Sequence, residues 1–174
     1  MTLVQIVSIA NANAWQAAKA EEARKLIEAG INSKKFQSAV LGARFLDVSF
    51  ENPDGTVLSG LSNQQVLDLI LFGTERGTRA DYIIQLHLVL YSKLWSSALG
   101  WTDEHGHIHT HHKFFNRADP IEIAGHWLHE WTHAAGFRHD YGRTARRDWS
   151  VPYLIGELLL DSVTPTVQSA ATSV

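Results

Sequence analysis

An α+β fold with a mixed sheet is what this sequence predicts, and three observations predict it. Strand-like and helix-like segments follow one another without a regular strand–helix–strand repeat. Four of the strand segments pair into two hairpins around turn-forming tetrapeptides, Asn52-Pro53-Asp54-Gly55 and Asp103-Glu104-His105-Gly106. The longest strand segment, Tyr82–Tyr91, is apolar on both faces, as a central strand is.

Taken in order, Leu3–Ile9 is β-rich and opens the fold. Asn13 is placed to cap a helix over Ala14–Ala29, with Gly30 as its stop. Arg44–Phe50 alternates, with Leu46, Val48 and Phe50 on one face, and Thr56–Ser59 is the returning strand of the first hairpin. Ser62 and Gln65 form a capping box ahead of Val66, Leu69 and Ile70, and Gly73 ends that short helix. In Tyr82–Tyr91, Ile84, Leu86, Leu88 and Leu90 share a face. Ala98–Thr102 and His107–His112 make the second hairpin. Asp119-Pro120-Ile121-Glu122 combines an N-cap, a proline at the first helical position and a capping box, so a long helix runs from there to Ala135 and stops at Gly136. Tyr153–Asp161 is a final short helix. Residues 1–162 are read as one domain and 163–174, rich in Ser, Thr and Ala, as a flexible tail.

Composition narrows the chemistry. The chain has 174 residues and a formal net charge of −3, without the basic patch of a nucleic-acid binder. No apolar run approaches the roughly 20 residues of a membrane span. The first lysine is Lys19, too late for the basic start of a signal peptide. The expected location is the cytoplasm or release without such a signal, with no propeptide and a monomer favoured. Cysteine is absent, so thiolate nucleophiles, thiolate ligands and disulfides are excluded. Ten histidines remain as the main source of metal ligands.

The segment His129-Glu130-Trp131-Thr132-His133-Ala134-Ala135-Gly136-Phe137-Arg138-His139 concentrates that chemistry. On a helix, His129 and His133 project from one face, one turn apart, as two ligands of one ion require. Gly136 lets the chain turn back and bring in His139 as the third. Three neutral imidazoles leave one position of a tetrahedral zinc ion open, which is the arrangement of a catalytic site. Glu130, about 100° round the helix from His129, is placed to act as general base on a water at that position. The expected cofactor is one catalytic Zn2+.

This stretch resembles the His-Glu-x-x-His-x-x-Gly-x-x-His motif of the metzincin group of zinc metallopeptidases, matched over His129–His139. The resemblance implies a zincin fold, with a long active-site helix below a twisted mixed sheet and a small C-terminal helical part. It implies ligation by His129, His133 and His139 and hydrolysis of peptide bonds by Glu130-assisted attack of zinc-bound water. It also implies an edge strand that holds substrate in an extended form. One departure stands out. Metzincins carry a methionine in a turn beneath the metal, and here the only methionine is Met1. Ser150-Val151-Pro152-Tyr153 is similar to that turn with Pro152 in the methionine place; it is read either as the floor of the site, with Tyr153 supporting a ligand or reaching the oxyanion, or as a plain helix N-terminus with a packed tyrosine. Two rival functions share these residues: a non-catalytic metal-binding or interaction domain, and a zinc hydrolase of non-peptide amides.

Other residues are read against plainer roles. His126, three before His129, is either an outer partner of the site or an ordinary hydrogen-bonded histidine. Asp140 is a carboxylate orienting an imidazole, a ligand in place of His139, or a loop residue; the first fits better, since His139 has the motif's spacing. His105, His107, His109 and His111 alternate and share one face of a strand, read as solvated ahead of a second metal site or a substrate-facing edge, with His112 opposite. Trp127, Trp131 and Trp149 are read as packing. Arg143, Arg146 and Arg147 are read as a solvated loop, or as a receptor for an acidic substrate terminus.

Overall fold

The computed structural model describes residues 1–75, 80–93, 98–140, 142 and 144–165. The fold is mixed α+β. Its elements in order are β1 (Leu3–Ala10), α1 (Ala14–Ile31), α2 (Lys34–Gly42), β2 (Phe50–Glu51), β3 (Val57–Leu58), α3 (Asn63–Phe72) and β4 (Ile83–Tyr91). There follow β5 (Gly100–Thr102), β6 (His107–His111), α4 (His112–Arg117), α5 (Pro120–Ala135), α6 (Ala145–Asp148) and α7 (Val151–Val163). The main sheet has the order β1-β4-β6-β5; β1 and β6 run parallel to β4, and β5 closes the sheet antiparallel to β6. The apolar positions Ile84, Leu86, Leu88 and Leu90 of β4 are buried, together with Ile27 of α1 and Trp127, Leu128 and Trp131 of α5. Helices α1 and α5 pack together beside this sheet, and α7 packs against both.

Several helix ends form as their residues dictate. Asn13 with Gln16, Ser62 with Gln65 and Asp119 with Glu122 each form a reciprocal capping box. Gly73 takes the left-handed conformation and ends α3. Gly30 does not end α1. The helix runs on to Ile31 and is capped at Asn32, whose amide donates to the carbonyls of Glu28 and Thr2. Gly30 is there for space: a Cβ would lie 2.3 Å from Leu159 of α7. Tyr153–Asp161 belongs to a longer helix that begins at Val151 and continues to Val163. Residues 166–174 of the expected tail lie outside the described residues.

Arg44–Phe50 is not a regular strand. Leu46 is exposed and Asp47 is 3% exposed, the reverse of the expected faces. Residues 46–51 form an extended strap. Asp47 bridges to Ser150 and Phe50 to Phe137, and the hairpin β2–β3 continues from the strap's end. Helices α2, α4 and α6 were not expected; the last two are short. His112 lies in α4, not on the face opposite the strand histidines.

Helix α7 crosses α5 at glycines. A Cβ on Gly156 would lie 2.9 Å from the Gly125 carbonyl oxygen and 3.4 Å from His129 Cβ, and one on Gly125 would meet Leu160 at 2.8 Å. Gly156→Val is therefore expected to destabilise the protein by about 1–3 kcal/mol through overpacking, lowering Tm by about 2–4 °C per kcal/mol. Thermal unfolding checks this; an unchanged Tm would mean that the two backbones need no such closeness.

Candidate metal centre and cleft

Helix α5 presents His129 and His133 on one face, with ring centroids 5.2 Å apart. Gly136 then takes φ 119° and ends the helix. A Cβ at that position would sit 2.7 Å from the Glu51 carbonyl oxygen, so a side chain is excluded by space as well as by backbone angle. The chain turns back and sets the His139 ring 4.8 Å from that of His133 and 5.7 Å from that of His129. One potential ligand nitrogen from each of the three lies within 4.8 Å of the others. The triad expected from the sequence therefore comes together as a group that could hold a metal ion. Among the described residues no other group of three His, Asp or Glu converges in this way.

The donor set fits such an ion. His133 Nδ1 lies 2.9 Å from the Phe137 carbonyl oxygen, and His139 Nδ1 lies 2.9 Å from that of Asp140. A carbonyl only accepts, so each Nδ1 carries the proton and each Nε2 keeps the lone pair that a metal needs. Burial pushes His133 down to about 4. Burial, with neighbouring His133, His126, His139 and Arg147, holds His129 well below the usual imidazole range. Neutral imidazoles are the ligating form.

The strap holds the third histidine. Arg138 N donates to the Ser49 carbonyl at 2.9 Å, and Glu51 N to that of Gly136 at 2.8 Å. The strap's other end receives the floor: Leu46 N donates to the Trp149 carbonyl at 2.9 Å, and Val151 N to that of Asp47 at 3.1 Å. On that floor Pro152 is buried in the first turn of α7. Tyr153 stands edge-on to His129, centroids 4.6 Å apart, and 5.1 Å from His139. Its hydroxyl accepts from Arg147, whose guanidinium lies 4.9 Å from the ring centroid.

Glu130 is 6% exposed, and burial pushes its carboxyl up to about 7. The Thr102 hydroxyl lies 2.9 Å from Glu130 Oε2 and 2.7 Å from the Glu130 carbonyl oxygen. It carries one proton, so it donates to one of them at a time. His126 Nδ1 is 3.9 Å from Glu130 Oε1, beyond hydrogen-bond length. Burial pushes His126 down to about 4, and its Nε2 has no partner among the described residues. His126 thus lies beside Glu130 and close enough to His129 to affect it. Asp140 reaches His139 through its backbone; its carboxylate lies 3.4 Å from the Thr144 hydroxyl.

His129, Glu130, His133, His139, Arg147 and Tyr153 line one cleft of about 730 Å³, with β5 and the turn at Asp103–Gly106 along one wall; His126 and Asp140 are not in its lining. Of the row of histidines read as solvated, His105 is exposed, whereas His109 and His111 are covered and His107 is engaged by a carboxylate. Asp103 Oδ2 lies 3.1 Å from His107 Nδ1 and 3.0 Å from His109 Nε2. Partial burial alone would raise the Asp103 carboxyl, but hydrogen bonds from His109 and from His107 and His105 hold it far below the carboxylate range. His109 stacks on Trp101 at 4.6 Å, and His111 is buried, capping α4. Trp127 and Trp131 are core residues, whereas Trp149 is 46% exposed. Arg146 pairs with Asp47 across 3.4 Å, away from the cleft lining. Arg143 lies outside the described residues.

Two cleft residues were missed. Thr102 had no motif to mark it. Glu75 accepts from Trp131 Nε1 and from Gln85 N, both at 2.8 Å, and burial raises its carboxyl. Its only signal in the sequence is a lone carboxylate two residues past a helix stop.

Among the described residues no helix is long and apolar enough to cross a membrane. No family model, curated protein or solved structure matches the chain.

Proposed function

We propose that this chain is a zinc-dependent metallopeptidase of the metzincin type, acting on peptide or protein substrate bound in an extended form. The observation that carries the reading is the convergence of His129, His133 and His139 beside the buried Glu130 carboxyl in one cleft. A zinc ion held by three imidazoles supplies an open position, a polarised substrate carbonyl and a water of lowered pKa. Glu130 accepts the proton of the attacking water and passes it to the leaving amine. Thr102 anchors the glutamate from β5. Arg147 donates to the Tyr153 oxygen, so the tyrosine's own O–H is left to donate toward the oxygen that gains charge. Strand β5 is the outermost strand of its sheet and borders the cleft, so its outer edge offers backbone groups to an extended peptide.

A domain that only binds metal has no use for a carboxyl buried beside the ligands, because burying such a group is costly. The test is digestion of unfolded protein substrates by metal-loaded protein. Cleavage is expected, lost on chelation and restored by added zinc. Full metal loading with no peptide cleaved would sink the peptidase reading; turnover of non-peptide amides alone would favour the other hydrolase.

A further inference from the structure

The cleft holds a charge that the proposed reaction uses only through one of its N–H groups. Two cations line it among the described residues, Arg138 and Arg147. Arg138 is committed: its Nε lies 3.0 Å from Glu51 Oε2, and its Nη1 donates to the His133 and Phe137 carbonyls at 3.0 and 3.2 Å. Arg147 is different. It gives one N–H to the Tyr153 hydroxyl, and its guanidinium packs over that ring. Its Nε is buried and has no hydrogen-bond partner among the described residues. Holding a tyrosine needs one N–H, and a second buried donor left idle is expensive unless a ligand completes it. A guanidinium with an idle donor is matched by a carboxylate, which can take two parallel N–H bonds.

We propose that Arg147 is a carboxylate receptor within the cleft, selecting substrates that bring a carboxylate close to the bond to be cut. The inference rests on reading the cleft as a peptidase site. Arg147 stands one aromatic ring away from His129 and His139, because Tyr153 touches all three. The bound carboxylate therefore belongs to a residue at or next to the scissile bond. It comes from an Asp or Glu side chain in mid-chain or from a free C-terminus, and the two sources share one chemistry.

The test is binding to the metal-loaded Glu130→Gln protein, so that nothing is turned over. The probes are N-acetylated hexapeptides of neutral residues, C-terminally amidated, with one Glu walked through the sequence, each paired with its Gln counterpart. The same neutral peptide as a free acid is the second arm. At least tenfold tighter binding is expected for Glu over Gln at one position, or for the free acid over the amide; whichever arm responds identifies the source. Adding Arg147→Gln should remove the preference, Arg147→Lys should keep part of it, and Tyr153→Phe should keep it. The idea is overturned if no carboxylate tightens binding tenfold, if no peptide binds, or if the preference survives Arg147→Gln. It is also overturned if Arg147→Gln weakens neutral and acidic peptides alike, because the arginine would then only position Tyr153. Peptides cleaved by the parent protein without acidic preference would remove this proposal and spare the peptidase reading. Carboxylate-dependent binding with no cleavage by the parent would do the opposite.

Discussion

In Glu130→Gln, the metal content is expected to match that of the parent while kcat/KM for peptide cleavage falls by about 10²–10⁴-fold, the usual worth of a positioned general base. The reasoning is local. Glutamine has the shape of glutamate and keeps an oxygen that can accept from Thr102, now 2.9 Å from Oε2. The carbonyls that hold His133 and His139, those of Phe137 and Asp140, do not depend on it for a hydrogen bond. What it loses is the capacity to take a proton. The residue is 6% exposed, so replacing an ionisable group there is not expected to weaken the fold. Steady-state kinetics with elemental analysis on the same preparation checks this. A variant as active as the parent would show that Glu130 is not the base.

His133→Ala should give the complementary pattern: a folded protein that no longer retains the ion. Loss of an outer partner of a ligand typically costs about 10–100-fold in metal affinity, and loss of the ligand itself should cost more. The fold should survive because α5 is held by the other side of the helix, where Trp127, Leu128, Trp131 and Ala135 are buried. Equilibrium dialysis measures the affinity, and circular dichroism reports the helix content. Retention of parental affinity would mean that the three rings converge for packing and not for a metal.

Much of the site was legible because its signals are local. The four-residue spacing of His129 and His133, the glycine that must turn left-handed and the box at Asp119 each act within a few residues, so reading along the chain captures them. What escaped is what the chain brings in from afar. Thr102 reaches Glu130 from β5, and Glu75 reaches Trp131 from beyond α3. Nothing in their own neighbourhoods marks either. Gly30 misled because a glycine near a helix end has two uses, a left-handed stop or a space for a neighbour, and only the position of Leu159 separates them. The alternation over Arg44–Phe50 correctly signalled extended chain, but extended chain pairs with whatever lies beside it. The histidines of the second hairpin looked solvated because a period of two reports which side chains share a face, not what covers that face. Asp103, Trp101 and Tyr91 supply the cover here.

The strap over residues 46–51 makes the third ligand and the tyrosine floor mechanically dependent. Both hang from the same six-residue span, one from Ser49 and Glu51 and the other from Leu46 and Asp47. The span runs directly into the hairpin whose tip, Asp54-Gly55, is exposed. The exposed tip, His139 and Tyr153 are thus joined through one short run of chain, so a single insertion there would meet the supports of both.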